Sequence, residues 1–268
     1  MNEEVYHLYH KEEDDWWWSA GRRALVASLW KRYASPSIAA PSMDPAPDPE
    51  HASPASPASR RPRLLEIGCG TGGQLQALCR WAEAYGLDLS QEAVDYCKRR
   101  GITTVMRGSL NALPFDAGRF EGLIAVDVLE HLDDDIGALD ELFRVARPGG
   151  ILIATVPAYQ FLWSRRDEQL HHKRRYTLRD FRSRIARAGF LPVKATYLNP
   201  QLFLPLLALV LLGRTKREGH TLKVDYGLVP GPMNRLITAI GRLESSILAR
   251  VSIPVGTSIA VVAVKDER

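Results

Sequence analysis

The stretch Leu64–Gln74, LLEIGCGTGGQ, constrains the fold of this chain more than any other feature. It places an apolar run, a turn containing Gly68, Gly70 and Gly73, and a helix-forming segment in direct succession. A strand, a glycine turn and a helix in this order form the first unit of an open parallel α/β sheet. The glycines also fit the G-x-G-x-x-G pattern, which favours a cofactor that contains adenosine.

Strand and helix patterns alternate from Arg63 to the C-terminus. The strand patterns are RLLEIG, AYGLDLS, ITTVMRGS, FEGLIAVDV, ILIATVP, LPVKATYLN and TSIAVVAVKDE. The continuous apolar character of FEGLIAVDV indicates a strand buried on both faces, as in parallel sheets. The alternation predicts an α/β fold with a Rossmann-like sheet and helices on both of its faces.

Composition divides the chain into three parts. Residues 1–33 read as an N-terminal helical lid. Residues 34–62 are rich in Pro, Ala and Ser with few large apolar side chains, which is typical of a flexible linker. Residues 63–268 form the α/β domain, with a helical, apolar insertion at 200–256 before the last strand.

Charge and cysteine content exclude several classes of protein. The net charge is +4 and the pI is about 9.0. The basic residues cluster in segments that suit phosphate or anionic lipid, although a solvated helix face would look the same. The three cysteines have no paired spacing, which argues against a disulfide framework and a zinc site. The acidic N-terminus does not read as a signal peptide, so a cytoplasmic location is expected.

Charge also separates two adenosine cofactors that fit the glycine turn. Asp88, at the end of the second strand, can accept hydrogen bonds from the ribose hydroxyls of either cofactor. Glu66 precedes Gly68 by two residues and would repel the pyrophosphate of a dinucleotide, whereas it suits the sulfonium and ammonium cations of S-adenosylmethionine. The residues therefore favour S-adenosylmethionine. The alternative that Glu66 caps the helix or faces solvent stays open.

Four segments stand in the order and at the spacing of a known family: LLEIGCGTG, YGLDLSQEAVDYCK, LPFDAGRFEGLIAVDVLEHL and ELFRVARPGGILIATVP. They resemble the successive signature motifs of class I S-adenosylmethionine-dependent methyltransferases, in the small-molecule branch that includes ubiquinone-biosynthesis O-methyltransferases. The resemblance covers Arg63 to about Pro157. It implies a seven-stranded sheet whose last strand is antiparallel, and a methyl transfer that uses S-adenosylmethionine.

The resemblance also implies which residues contact the cofactor. They lie in the glycine turn and after strands two, three and four: Glu66, Gly68, Cys69, Gly70, Gly72, Asp88, Leu89, Ser109, Leu110, Asp127 and Val128. Ser109 departs from the family pattern, because GSLNALPF has a serine where the family often has an acid for the adenine amino group. We therefore expect a weaker, uncharged contact to adenine.

Candidate bases follow strands four and five, at the carboxyl edge where ligands bind in such sheets. His131, in VLEHL, titrates near neutrality and can accept a proton from an acceptor hydroxyl. The segment WSRRDEQLHHKRRYT adds His172 and Tyr176 as catalytic candidates. Alternatively, Glu130 and His131 only fix their loop by hydrogen bonds. Adjacent histidines such as His171 and His172 rarely converge on a metal alone, so no metal site is expected.

Two segments rich in aromatic residues and arginine predict the substrate contacts. Three tryptophans in WWWSAGRR cannot all face one side of a helix, which favours a lid over a pocket. The arginines of the second segment, WSRRDEQLHHKRRYT, favour an anion clamp, because a guanidinium pairs with phosphate or carboxylate through two hydrogen bonds. The alternatives are plain helix packing and surface charge. The candidate substrate-binding residues are Trp17, Trp18, Arg22, Trp163, Arg174 and Arg175.

The insertion gives the strongest indication of substrate class. Its apolar run LFLPLLALVLLG is shorter than the roughly 20 residues that span a bilayer. With the basic loop GRTKREGHTLK and the amphipathic segment MNRLITAIGRLESSILARV, it favours attachment of residues 201–252 to a membrane surface. A homodimer interface, or a hydrophobic lid over a lipid-like acceptor, remains an open alternative.

Together these patterns predict an S-adenosylmethionine-dependent methyltransferase that acts on a hydrophobic or lipid-linked small molecule, by O-methylation on the family prior, at the inner face of the membrane or in the cytoplasm. Two other functions are retained: a non-catalytic, membrane-associated protein that binds S-adenosylmethionine, and an NAD-dependent oxidoreductase. Strand four is followed by DVLE and not by an Asn-Pro-Pro-aromatic segment, which argues against nucleic-acid methylation.

Overall fold

The computed structural model describes residues 10, 13–14, 16–34, 60–212 and 231–266. Nearly all of the predicted linker and the basic loop of the insertion lie outside the described residues. Seven strands form one sheet in the order β3-β2-β1-β4-β5-β7-β6. They are β1 (Arg63–Ile67), β2 (Glu83–Asp88), β3 (Val105–Arg107), β4 (Phe120–Val126), β5 (Ala146–Pro157), β6 (Phe190–Leu198) and β7 (Ser258–Lys265).

The direction of the strands confirms the predicted Rossmann-like architecture. Strands β1 to β5 pair in parallel, whereas β7 runs antiparallel to both β5 and β6. Strand β5 begins at Ala146, five residues before the ILIATVP pattern, because Ala146 still pairs with Phe120 across a register shift. The Pro-Gly-Gly segment therefore belongs to the strand and does not end the preceding helix.

Helices cover both faces of the sheet. They are α1 (Trp17–Tyr33), α2 (Gly73–Cys79), α3 (Gln91–Arg99), α4 (Asp135–Val145), α5 (Arg165–Gln169), α6 (Leu178–Arg187), α7 (Pro200–Leu211) and α8 (Gly231–Leu248). Side-chain caps begin several of them: Ser90 accepts a hydrogen bond from the Ala93 amide, and Thr177 from the Asp180 amide. Such caps satisfy amide groups that have no partner within the helix.

Helix α1 packs directly on the sheet. Its Leu25, Val26, Leu29 and Trp30 join the apolar cluster on one face of the strands. Trp30 lies so close to Gly122 in β4 that a Cβ atom there would come within 2.4 Å of the indole ring. The N-terminal helix is therefore an integral layer of the fold, and its first turn is held at the edge where ligands bind.

The register of the central strands brings their carboxyl ends together. Ile67 of β1 lies opposite Leu87 of β2 and Ala125 of β4, and Val126 of β4 lies opposite Thr155 of β5. The residues that follow these strands consequently share one edge of the sheet, where ligands bind in open α/β sheets.

The insertion contributes α7 and α8. Every described residue of α7 is at least partly exposed, although the helix is rich in leucine. Large apolar side chains are also exposed along α8, among them Leu236 and Leu243. Within the described residues, none of the helices is both long and apolar enough to span a bilayer.

Candidate active site

The backbone of the glycine turn has a conformation that residues with a side chain rarely adopt. Gly68, Gly70 and Gly72 all have positive φ angles, of 67°, 52° and 90°, a region that glycine enters without steric cost. A Cβ on Gly68 would come within 2.9 Å of Val128. The Gly68 amide donates to the carbonyl of Leu87 over 2.8 Å, so the turn is anchored on β2.

Asp88 ties the same turn to the end of β2. Its carboxylate accepts hydrogen bonds from the amides of Gly70 and Ser90, both over 2.9 Å. Burial raises the pKa of Asp88, although the backbone hydrogen bonds act in the opposite direction. Leu89 follows with 69% of its surface exposed, which leaves an apolar side chain free beside this carboxylate.

Glu66 is a buried carboxylate that faces the cavity described below. Only 4% of its surface is exposed, and its Oε2 atom has no hydrogen-bond partner among the described residues. Burial, followed by the negative charges of Glu13 and Asp88, raises its pKa well above the ordinary value. A cation beside such a buried acid would favour its ionised form.

Acidic residues before α1 reach over the glycine turn. The Glu13 carboxylate accepts hydrogen bonds from the Thr71 hydroxyl and, over 3.1 Å, from the Gly73 amide. Arg100, at the end of α3, pairs with Glu13 over 3.4 Å and with Asp14 over 2.9 Å. The N-terminal segment is therefore fastened across the start of α2.

Helix α1 meets the end of β4 through a salt bridge. The Arg22 guanidinium donates two hydrogen bonds to Asp127, over 2.9 and 3.2 Å, and a third to the Ser258 hydroxyl over 3.1 Å. It also stacks 4.3 Å from the ring centre of Trp18. Asp127 has a φ of 51° and accepts a further hydrogen bond from the Thr155 hydroxyl. This conformation directs its carboxylate to the junction of α1, β4 and β7.

A cavity of about 560 Å³ opens at this edge of the sheet. Its wall includes residues of the glycine turn and apolar side chains of α7. Residues from six parts of the chain contribute to its wall, among them Trp18, Arg22, Glu66, Asp127, His131, His172, Leu202 and Leu206. The cavity thus connects a charged region at the strand ends with an apolar wall.

The cavity wall also contains a polar cluster of Glu130, His131 and His172. The two imidazole rings meet edge to face with centres 4.7 Å apart, and His172 Nε2 lies 4.0 Å from Glu130 Oε1. Burial, reinforced by His172, lowers the pKa of His131 to about 4. Burial, reinforced by Asp127, raises the pKa of Glu130 well above its ordinary value. His131 is therefore neutral near pH 7.

Asp167 holds His172 in place from behind. It is almost fully buried and accepts hydrogen bonds from His172 Nδ1 over 2.9 Å, from Arg175 over 2.8 and 2.9 Å, and from Ser164. Burial would raise its pKa, but the hydrogen bonds from His172 and Arg175 prevail and hold the pKa well below the usual range. With its Nδ1–H given to this carboxylate, His172 presents Nε2 to the cavity.

Several of the residues predicted for the site have side chains engaged elsewhere. The Tyr176 hydroxyl is buried and donates to Asp135, which raises its pKa further than burial alone. Arg174 donates to Asp135 and to the carbonyls of residues 132 and 133. Arg175 pairs with Asp167, so neither arginine offers a free anion clamp in this structure.

The side chains of five further predicted residues do not line the main cavity. The Trp17 amide donates to Asn234 of α8, and its ring borders a small crevice against that helix. Trp163 is half-buried and is absent from the described wall of the main cavity. Cys69 and Leu110 are buried in the apolar clusters, which leaves only their backbone for a cofactor, whereas the Ser109 hydroxyl accepts from the Asn111 amide.

Two residues that shape the site could not be identified from the sequence. Glu13 and Arg100 come from distant segments that carry no motif, and only the fold joins them at the glycine turn. Leu202 and Leu206 were considered as lid or membrane residues, but their place in the cavity wall depends on the direction of α7. The only sequence signal for this apolar part of the cavity wall was the apolar segment in the insertion before the last strand.

The sheet order, the glycine turn and three acids, Glu66 in β1, Asp88 at the end of β2 and Asp127 after β4, are together those of a class I S-adenosylmethionine-dependent methyltransferase domain. Residues 65–154 match the family described as "Methyltransferase domain". This match confirms the resemblance found in the sequence, with S-adenosylmethionine as the cofactor of the class. It covers the strands and loops from β1 to β5.

Curated proteins similar to the chain carry names of the same kind. A fatty-acid O-methyltransferase of Mycolicibacterium smegmatis is 37% identical over 35% of this chain and 36% of its own length. A ubiquinone biosynthesis O-methyltransferase of Methylococcus capsulatus is 33% identical over 33% of this chain and 40% of its own length. The matches thus span about half or less of the length of these relatives.

Solved structures share the fold across a larger part of the chain. A methyltransferase of Thermotoga maritima, described as a possible histamine N-methyltransferase, has a TM-score of 0.51 over 97% of this chain and 99% of its own, at 18% identity. A geranyl diphosphate methyltransferase in complex with its cofactor has a TM-score of 0.53 over 76% and 78%, at 15% identity. At these identities the likeness establishes the fold.

Proposed function

We propose that the protein transfers a methyl group from S-adenosylmethionine to a hydrophobic or lipid-linked small molecule, by O-methylation. The observation that carries the proposal is the continuous cavity between the glycine turn and the apolar wall of α7. A site of this kind places a charged cofactor at one end and an apolar acceptor at the other. The names of the fatty-acid and ubiquinone relatives support the same acceptor class.

The residues around the glycine turn fit S-adenosylmethionine. Asp88 would hold the ribose hydroxyls, and the exposed Leu89 would pack on the adenine. The unpartnered carboxylate of Glu66 would face the cationic methionine end, with Gly68 and Gly70 allowing close approach of the backbone. Asp127 borders the same region. A dinucleotide would instead place its pyrophosphate beside the buried Glu66, which disfavours the oxidoreductase alternative.

The protein's main task is alignment of the acceptor with an activated methyl group. When bound, S-adenosylmethionine supplies a methyl carbon whose bond to sulfur breaks, with its electron pair, toward sulfur as the acceptor oxygen bonds to that carbon. The polar cluster of Glu130, His131 and His172 lines the cavity and would orient the acceptor oxygen, whose hydroxyl proton would leave to water at the cavity mouth. Arg22 and Trp18 line the cavity on the side of α1, where a bound acceptor would be shielded from water.

The apolar wall predicts a dependence on the chain length of the acceptor. Across alkyl alcohols and fatty acids of increasing length, we expect kcat/KM to rise about fourfold per methylene until the cavity is filled, because burial of each methylene contributes about 0.8 kcal/mol. Leu206→Ala should flatten this dependence. Transfer of labelled methyl from S-adenosylmethionine to each acceptor is the measurement, after a lipid extract has identified the headgroup.

Leu204→Ala is the matched control, because Leu204 lies in the same helix with 71% of its surface exposed. This variant should keep the wild-type dependence on chain length. A preference for short, polar acceptors that neither variant alters would contradict the proposed acceptor class. Binding of S-adenosylmethionine without transfer to any extract would favour the non-catalytic alternative instead.

The outer side of the insertion supports attachment to a membrane surface. Leu204, Leu211 and Leu212 of α7 and the adjoining turn are 64–77% exposed, and Leu236 and Leu243 of α8 are 62% and 64% exposed. Arg235, Arg242 and Arg250 accompany the apolar residues of α8 and its end. Exposed apolar and basic side chains on adjoining helices are typical of interfacial segments. Arg214, Lys216, Arg217 and Lys223, predicted to meet lipid headgroups, lie outside the described residues.

Vesicle flotation tests this attachment. We expect the protein to float with vesicles that contain 30% phosphatidylglycerol, at roughly ten times the fraction seen with neutral phosphatidylcholine vesicles. The double variant L211S/L243S should float less, because each exposed leucine contributes up to about 2 kcal/mol when it enters the lipid boundary. Equal flotation of the wild type and the double variant would contradict membrane attachment, as would a concentration-dependent dimer that buries these leucines.

A further inference from the structure

The polar cluster in the cavity has the composition and arrangement of a metal-binding site. One ligand atom from each of Glu130, His131 and His172 lies within 4.8 Å of the other two. Two imidazoles and one carboxylate form the ligand set that binds divalent transition-metal ions while leaving coordination positions open. The sequence alone predicts no metal site, because the adjacent His171 and His172 rarely converge on one ion; the fold instead joins His172 to residues that follow β4.

His172 is oriented as a metal ligand is oriented. Its Nδ1 is fixed by Asp167 over 2.9 Å, and Asp167 is itself fixed by Arg175 and Ser164. Metal-binding histidines usually donate their second ring N–H to a carboxylate in this way, which sets the tautomer and the direction of the free lone pair. Here that lone pair belongs to Nε2, which points toward Glu130.

Glu130 adds a second, independent observation. Only 1% of its surface is exposed, and its Oε2 has no hydrogen-bond partner among the described residues. Oε1 lies 4.0 Å from His172 Nε2, too far for a hydrogen bond and close to the spacing of two atoms that share one ion. A buried carboxylate oxygen without a partner is costly, and a cation between the carboxylate and the imidazole would reduce that cost.

We propose that Glu130, His131 and His172 bind a divalent transition-metal ion, with Asp167 as the hydrogen-bonded support of His172. The ligand atoms need to approach by about 1 Å to reach the roughly 3–4 Å spacing found around an ion with bonds of about 2.1 Å. Imidazole and carboxylate donors favour zinc, cobalt or manganese over magnesium, which prefers oxygen ligands alone.

The role of the ion rests on the proposed function and makes it more specific. Open coordination positions facing the cavity would bind the acceptor oxygen. That oxygen would lose its proton to water at the cavity mouth before the methyl carbon bonds to it, since a bound cation lowers the pKa of a coordinated hydroxyl. The acceptor class is thereby narrowed to molecules with a hydroxyl or carboxylate that can coordinate a metal.

Titration with cobalt in the absence of cofactor and acceptor tests the site directly. Protein freed of metal by chelation, and of its affinity tag, should bind one Co²⁺ with a visible absorption band that Zn²⁺ displaces. His172→Gln and Glu130→Gln should each weaken binding about 100-fold. His171→Asn is the matched control, because it removes an exposed histidine next to His172 and asparagine tolerates the positive φ found there; it should bind as the wild type does.

The outcomes separate this inference from the proposed function. Absence of any visible band and of calorimetric heat with Zn²⁺ for the wild type would overturn the metal site, as would unchanged cobalt binding by both glutamine variants. Full methyl transfer in excess chelator would also overturn it and would leave the methyltransferase proposal intact. Stoichiometric cobalt binding that His172→Gln abolishes would establish the site even if no acceptor were methylated. Near-ultraviolet circular dichroism checks that each variant is folded.

Discussion

Replacing Asp88 by alanine should raise the Kd for S-adenosylmethionine about 100-fold or more. Its carboxylate now accepts hydrogen bonds from the amides of Gly70 and Ser90, and the same group would hold the two ribose hydroxyls. Hydrogen bonds to a charged group contribute about 1.5–3 kcal/mol each, and two of them lost together correspond to at least two orders of magnitude in affinity. Isothermal titration with the cofactor measures the change directly.

A second ligand distinguishes loss of ribose contacts from collapse of the glycine turn. An analogue that lacks the ribose 3′-hydroxyl should bind the wild type more weakly than the natural cofactor does, and Asp88→Ala should bind both alike. Asp95→Ala, an aspartate of α3 whose partner is Gln91, is the control and should bind as the wild type does. An unchanged Kd for Asp88→Ala, or micromolar binding of NAD in place of S-adenosylmethionine, would contradict the cofactor site.

The sheet and the cofactor edge could be predicted from the sequence because their signals are local. Each strand from β1 to β5 is a short apolar run between polar turns, and the glycine turn directly follows the first of them. Right-handed crossovers restrict the possible strand orders, and the structure gives the order itself. The acids Glu66 and Asp88 follow from the same pattern, since each lies at or near the end of a strand.

The second half of the site could not be predicted in the same way. Asp167, His172 and Arg175 were recognised as a dense polar segment, but the sequence favoured an anion clamp there. The structure shows that Arg175 forms a buried salt bridge with Asp167. Its guanidinium is therefore not free to bind an anion. Pairing of this kind depends on how a loop folds back on itself, and the hydrophobic periodicity of the sequence does not predict loop conformation.

The contribution of α1 was anticipated only in outline. The three tryptophans predicted a lid, and Trp18 does line the cavity. Attachment of the helix to the sheet through Gly122, and of Arg22 to Asp127, joins residues separated by some hundred positions. Such contacts follow from complementary shape and charge in three dimensions, so the sequence could suggest the lid but could not show what it touches.

Asp167→Ala should lower the free energy of unfolding by about 3–5 kcal/mol, the largest effect on stability that we expect for a single polar residue. The substitution leaves the buried guanidinium of Arg175 without its counter-charge and frees His172 to rotate. Removal of one partner from a buried ion pair typically costs this much, because the other charge remains desolvated. Urea unfolding followed by circular dichroism gives the value, with Asp95→Ala as a surface control expected to change it by less than about 0.5 kcal/mol.

The same residue predicts how stability depends on pH. The pKa of Asp167 in the folded protein lies well below its usual value, so the unfolded chain binds a proton to this group at higher pH than the folded protein does. Its contribution is therefore complete above the unfolded pKa of about 3.9 and is lost as the pH falls from there toward the folded pKa. The difference in unfolding free energy between wild type and Asp167→Ala should be constant from pH 6 to 8 and should narrow below about pH 4. A difference that widens on acidification would show that Asp167 is protonated in the folded protein, and the support that it gives to His172 would then need another explanation.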